Sequence, residues 1–158
     1  MCYKLSNILY SFFLIFITAA VAKYFTVQGM SAFYEVLDIP VVTPENHYFS
    51  YIWRGLYFLL FISFYLILES NNDQERLLDA KLLFVCQLFM QILWTFSFFY
   101  MEQLFASAIV IILLDVVVAL MMHSFFFISK WAFALTVPYL VWLLFATYLN
   151  IAILFLNF

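Results

Sequence analysis

Glycine and charge are the scarcest features of this sequence. Only Gly29 and Gly55 occur in 158 residues. The paired small-residue stripe that lets membrane helices cross at close range is therefore absent, and packing falls to Ala, Ser and interdigitating aromatics. Charged residues make up 9% of the chain, whereas soluble domains hold roughly a quarter. The net charge of −3 is spread over short loops without a basic run. Neutralising a phosphate backbone needs clustered Lys and Arg, so nucleic acid is excluded as a partner. Cys2 and Cys86 are the two cysteines, too few and too ill-placed for a disulfide framework. Cys86 lies in an apolar run and is expected to be a small buried hydrophobe. There is no Ser-His-Asp or Cys-His set, no Gly-rich phosphate loop and no Cys-x-x-Cys, so no motif announces an enzyme class.

What fills the chain is apolar surface: 69% of residues, including 22 Phe, 11 Tyr and 4 Trp. A water-soluble fold of this length could not hide so much, whereas lipid solvates it directly. The expected fold is an all-α membrane protein, a bundle of five transmembrane helices in one domain. Runs long enough to cross about 30 Å of hydrocarbon lie at about 5–27, 48–68, 82–100, 104–128 and 131–156. The run Leu5 to Val27 exceeds a usual signal-peptide core, and Ala19, Ala20 and Ala22 sit inside it, so it reads as a retained helix. A loop (28–47) joins the first two spans and a polar loop (69–81) the next two. Short turns near Glu102 and Ser129 make the last three spans antiparallel neighbours. Lys4, Arg76, Lys81 and Lys130 share the amino-terminal side, against Lys23 and Arg54 on the other. This bias puts the amino terminus in the cytoplasm and the 28–47 loop outside.

Polar groups within the spans carry the information, because lipid penalises them unless they are partnered. Asp115 falls near the middle of the fourth span and Arg54 inside the second. Asp115 is expected to bond a neighbouring helix, with a pair to Arg54 or a proton-relay or ligand-orienting role left open. Helical spacing also gathers stripes: Phe49, Trp53 and Tyr57; Gln87, Gln91, Trp94, Thr95 and Phe98; Tyr139, Trp142, Ala146 and Asn150. Such stripes commonly serve packing or interfacial belts. Amide and phenol groups deep in each stripe point instead to a cavity for a planar, mostly hydrophobic ligand. His47, closing the long loop, and His123, far along the fourth span, lie too far apart to share a metal. His47 reads as a solvated loop residue, with ligation of an iron at the mouth of a cavity as the alternative.

The run Pro138-Tyr139-Leu140-Val141-Trp142-Leu143-Leu144-Phe145-Ala146-Thr147-Tyr148-Leu149-Asn150 resembles the TspO/MBR family, which comprises the tryptophan-rich sensory proteins and the mitochondrial translocator protein. Two further stretches look like family motifs at kept spacing. One is Phe33-Tyr34-Glu35-Val36-Leu37-Asp38-Ile39-Pro40 with Pro44, Phe49, Trp53, Leu56 and Tyr57; the other is Gln87-Leu88 with Gln91, Trp94 and Phe98-Phe99. The resemblance covers about 30–157. It implies a five-helix bundle, often a homodimer, binding porphyrins such as protoporphyrin IX and haem at the end covered by the 28–47 loop. No cofactor is obligatory, and the partners are a hydrophobic small molecule, the lipid bilayer and a second copy. Transferred by motif position, the ligand-binding residues would be Tyr34, Pro40, Pro44, Trp53, Gln91, Trp94, Trp142 and Ala146.

The chain also departs from the motifs. Phe33 replaces a Trp, Ile39 the Lys before Pro40, Glu45 the second Pro of a pair, and Gln91 an Asn. Losing an indole and a cation near the loop weakens the expected grip on porphyrin propionates. The segment Ile151-Ala152-Ile153-Leu154-Phe155 lacks the Tyr and basic residue of a cholesterol-recognition motif, so sterol is a poor candidate. The resemblance implies a receptor or transporter for tetrapyrroles. Alternatives are a light-dependent protoporphyrin-degrading enzyme or a membrane sensor or scaffold. The bacterial inner membrane is favoured over the mitochondrial outer membrane.

Overall fold

Unbroken apolar runs in lipid must bond every backbone amide internally, which selects the α-helix. A computed structural model describes residues 2–30 and 33–158, apart from the side chains at positions 2, 3, 30, 33, 34 and 46. These form α1 (Cys2–Met30), the single turn α2 (Phe33–Val36), α3 (Asn46–Leu68) and α4 (Gln74–Thr95), the last continued by a π-helical turn (Phe96–Tyr100). Then come α5 (Leu104–Ile128) and α6 (Lys130–Leu156). Five segments are long and apolar enough to cross a membrane: Lys4–Gly29, His47–Leu68, Gln74–Tyr100, Leu104–Ile128 and Lys130–Leu156. The shortest has 22 residues, or roughly 33 Å of helix. The protein is an all-α membrane protein, a bundle of five transmembrane helices. Their neighbour relations close a ring in the order α1, α3, α6, α5, α4.

The exterior is apolar along each helix. Phe16 is 58% exposed on α1, Phe105 64% on α5 and Phe155 78% on α6, faces that only lipid or another apolar surface would cover. Cys86 corrects the sequence expectation. It is exposed on α4, on an outward stripe with Leu82, Val85 and Phe89. Where the solvent is itself apolar, a small hydrophobe gains little by turning inward. The third span also starts earlier than expected, at Gln74 instead of 82. Glu75, Arg76 and Asp79 interrupt the apolar run but lie exposed, while Leu77 and Ala80 between them are buried.

Short connections carry their own signals. Ser129 caps α6, its side chain accepting from the Ala132 amide at 3.3 Å, which lets α5 reverse into α6 across one residue. Between the π-helical turn and α5, Glu102 takes a left-handed conformation with φ 58°. One close crossing exists despite the missing small-residue motif: Gly29 is buried, and a Cβ there would fall onto the backbone carbonyl of Phe99. The π-helical turn, closed by Met101 N–H donating to the Phe96 carbonyl at 2.9 Å, carries that carbonyl. Gly55, by contrast, faces open space.

The bundle is solid at one end. Phe64 of α3 and Phe84 of α4 stack with centroids 3.8 Å apart and planes 2° off parallel, with Phe125 of α5 behind Phe84 at 6.3 Å. Ser63 of α3 donates to the Ala132 carbonyl of α6 at 2.8 Å. At the other end, Asn157 and Asp38 exchange two hydrogen bonds of 2.9 Å, side-chain oxygen to backbone amide and side-chain amide to backbone carbonyl. Leu37 packs on Phe98, Phe99 and Ile153. These contacts fasten the loop after α2 to the carboxyl-terminal end of α6.

Candidate functional site

Below the loop end the ring of helices opens into a cavity of about 370 Å³ walled by α1, α3 and α4. Small side chains on α1 leave the room: Ala19, Ala22 and Thr26 face it, with Lys23 and Val27. α3 contributes Phe49, Ser50, Trp53, Arg54 and Tyr57, and α4 and its π-helical turn contribute Gln91, Trp94, Thr95 and Phe99. The α4 wall is buried, whereas Lys23, Val27, Ser50 and Arg54 are exposed. The cavity thus has a deep back on α4 and a mouth along the seam between α1 and α3.

Five aromatic rings stand in the wall, with Trp53 at the hub. Its ring lies 6.2 Å from Phe49, 5.8 Å from Tyr57, 6.3 Å from Trp94 and 6.3 Å from Tyr139. The polar groups behind the rings are bonded to one another across helices, as burial in apolar surroundings demands. Gln91 donates its amide N–H to the Tyr57 hydroxyl at 2.8 Å. Tyr139 of α6 donates to Gln87 Oε1 at 2.8 Å, with Gln91 Oε1 at 3.4 Å. Trp94 donates its indole N–H to Asn150 at 2.8 Å, and Asn150 donates to Ser107 at 3.1 Å. Gln91 and Trp94 are therefore committed to the scaffold. Tyr57 receives a hydrogen bond, and its own proton has no acceptor among the described residues, so Tyr57 is the phenol able to donate to a guest.

Of the residues nominated from sequence, Trp53, Gln91 and Trp94 meet in this wall. Trp142 stands one layer behind, its ring 5.5 Å from Phe49, with an indole N–H that finds no partner among the described residues. Ala146 is buried in the core at 3% exposure. Pro40 and Pro44 belong to the loop and do not line the cavity, and the Tyr34 side chain lies outside the described residues. The wall residues missing from the nominated set are those of α1, together with Phe49, Ser50, Arg54, Tyr57, Thr95 and Phe99. The alanines and Thr26 of α1 carry no chemical signal; Tyr57 and Thr95 were visible in the stripes.

The open pairing of Arg54 with Asp115 is not formed. Asp115 sits on α5, which is not a neighbour of α3 in the ring, and accepts from Thr147 of α6 at 2.8 Å. Arg54 turns back along α3, its Nε donating to the Ser50 carbonyl at 3.3 Å and its guanidinium lying 4.5 Å above the Tyr51 ring. His47 is exposed and lies 3.3 Å from a Glu45 carboxylate oxygen.

A helical membrane bundle with a tryptophan-walled cavity toward one face is the class of protein these features define. The sequence profile of the TspO/MBR family matches residues 11–156, and the chain belongs to that family. It is 37% identical to the tryptophan-rich protein TspO of Archaeoglobus fulgidus over 137 residues, covering 85% of this chain and 86% of that one. It is 34% identical to the tryptophan-rich protein TspO of Chlorobaculum tepidum over 133 residues, 84% of each chain. With the tryptophan-rich sensory protein of Cereibacter sphaeroides it shares 32% over 124 residues, 78% of this chain and 76% of that one.

Proposed function

We propose that this protein is a membrane receptor or transporter for a tetrapyrrole, with protoporphyrin IX as the type ligand, held in the cavity between α1, α3 and α4. The observation that carries the reading is the wall itself: Phe49, Trp53, Tyr57, Trp94 and Phe99 around one hollow of about 370 Å³. That volume is at the lower end of small-molecule sites, roughly 300–1,000 Å³. The mouth between α1 and α3 lets part of a larger ring system lie outside it. Flat rings bury the faces of a flat guest, and the Tyr57 hydroxyl supplies a directional hydrogen bond. Among the described lining residues there is no imidazole, thiolate or thioether, while Tyr57 is a phenol of the kind that can hold haem iron, so the metal-free and the iron-bearing macrocycle both suit the wall. Among the described residues no carboxylate lies in the wall to form an acid–base pair, which favours binding over turnover. The membrane we propose for it is the bacterial inner membrane. Crosslinking in native membranes tests the homodimer that the family resemblance implies.

Titration of the detergent-solubilised protein with protoporphyrin IX should quench tryptophan fluorescence saturably. Trp53→Ala should weaken binding at least tenfold, while Trp131→Phe, at an exposed position at the start of α6, should leave it unchanged. Equal affinity in wild type and Trp53→Ala would remove the ligand from this cavity. A product spectrum that accumulates only in light would move the protein to the degrading enzyme.

A further inference from the structure

Among the described residues, the mouth of the cavity carries two cations and no acid. Lys23 lies seven residues before the end of α1 at Met30, and Arg54 eight residues after the start of α3 at Asn46. The two helices are antiparallel neighbours, so at ~1.5 Å per residue both cations sit roughly 11 Å below the loop end of the bundle. Both line the same cavity, whose wall holds no Asp or Glu among the described residues. Among the described residues neither has a carboxylate partner. Arg54 spends one donor on the Ser50 carbonyl at 3.3 Å and one on the Ser50 hydroxyl at 3.4 Å, leaving the rest of its five-donor fork open.

Two like charges at one depth of a bilayer repel each other and lose hydration, a cost that is greatest near the centre and falls toward the interface. An anion between them offsets both terms, and a carboxylate suits an open guanidinium fork because two parallel N–H···O bonds form at once. We infer that Lys23 and Arg54 form an anion clamp at the cavity mouth that binds a carboxylate of an amphipathic ligand whose flat apolar body lies against Trp53 and Trp94. This rests on the tetrapyrrole reading and sharpens it. The ligand class is a planar apolar acid, held with its acidic edge toward the α1–α3 seam and its apolar edge toward α4. The same pair of cations could instead snorkel to a lipid phosphate, and the two occupants are separable.

The test uses the full chain in zwitterionic phosphatidylcholine nanodiscs, with protoporphyrin IX and its dimethyl ester as probes. Wild type should bind the diacid at least tenfold tighter than the diester. Lys23→Gln/Arg54→Gln should bring the diacid to the level of the diester and leave the diester unaffected. Equal affinity for the two probes, or a diacid affinity untouched by the double substitution, overturns the clamp. So does loss of co-purifying anionic lipid from the double variant with porphyrin affinity unchanged, which assigns the cations to a lipid phosphate. Pyrenebutyrate and its methyl ester read the mouth without the macrocycle. If neither porphyrin binds while pyrenebutyrate is preferred over its ester and the double variant loses that preference, the tetrapyrrole reading falls and the clamp stands. If porphyrin binds while the preference for the acid is missing from both probe pairs, the clamp falls and the tetrapyrrole reading stands. Should the double variant not fold, Arg54→Gln and Lys23→Gln singly carry the same comparison, each with a smaller expected loss.

Discussion

The two ends of this bundle use the same residue types to opposite effect. At the closed end Phe64, Phe84 and Phe125 are fully buried and touch ring to ring. At the open end Phe49, Trp53 and Tyr57 are only partly buried and stand around a hollow. The difference lies in what faces the rings. Across from Phe64 stands another phenylalanine; across from Trp53 stand Ala19, Ala22 and Thr26 of α1, which cannot fill the space. Large against large makes a core, and large against small makes a cavity. The polar groups divide the same way. Those behind the cavity, Gln87, Gln91, Tyr139 and Asn150, hold the rings by interhelical hydrogen bonds, each worth roughly 0.6 kcal/mol on average in a membrane. Their value lies more in fixing ring positions than in stability.

The sharpest way to break the comparison is to exchange one ring at each end for alanine. Phe84→Ala removes a fully buried ring from a stack and should cost about 3–5 kcal/mol, read as a large fall in unfolding temperature in detergent. Trp53→Ala enlarges a hollow that already exists, so its stability loss should be well under half of that while porphyrin affinity collapses. Equal stability losses would mean that the open end is packed as tightly as the closed one. Next in size is Gly29→Ala, whose new methyl would meet the Phe99 backbone carbonyl. Backbone cannot yield as a side-chain tip does, so overpacking should cost about 1–3 kcal/mol. It should also push α1 off α4, weakening binding. Gly55→Ala, pointing into open space, is the control and should be neutral or slightly stabilising. Third is Asn150→Leu, which strands the Trp94 indole N–H in apolar surroundings. The expected cost is about 1 kcal/mol, with a several-fold loss of porphyrin affinity as the Trp94 ring loosens. Unfolding curves and tryptophan-quenching titrations read both.

Much of this was legible in the sequence. The five spans follow from unbroken apolar runs, and the inward faces of α3, α4 and α6 from stripes at helical spacing. Trp53 stands in the α3 stripe and Gln91 and Trp94 in the α4 stripe, as well as at matching motif positions, and the two helices bring all three into one wall. The α1 side of the cavity was not legible: an alanine signals a hollow only once the helix opposite is known to present tryptophan. Arg54 illustrates the same limit. It stood out as a cation within a span, but its partner depends on which helices are neighbours, and the ring order separates α3 from α5 where Asp115 sits. The start of α4 was missed because Glu75, Arg76 and Asp79 break the apolar run without breaking the helix, their side chains lying outside while Leu77 and Ala80 turn in. The loop residues Pro40 and Pro44 came from motif position alone, which transfers a residue's place in the chain and not its distance from the cavity.

The smallest effect sharpens the comparison at the open end. Glu102 holds φ 58° in the turn between the π-helical turn and α5, a conformation that costs a non-glycine residue roughly 1–2 kcal/mol. Glycine adopts it freely but gives up more chain entropy on folding, so Glu102→Gly should stabilise by up to about 1 kcal/mol. The turn is closed by Gln103 N–H donating to the Ser97 carbonyl at 3.0 Å, and Ser97 lies two residues from Phe99 in the cavity wall. If the strain is local to the turn, unfolding temperature rises by a few degrees while porphyrin affinity stays at the wild-type value. If affinity changes with it, the turn, the π-helical turn and the cavity wall move as one unit, and the looseness of the open end extends beyond the hollow itself.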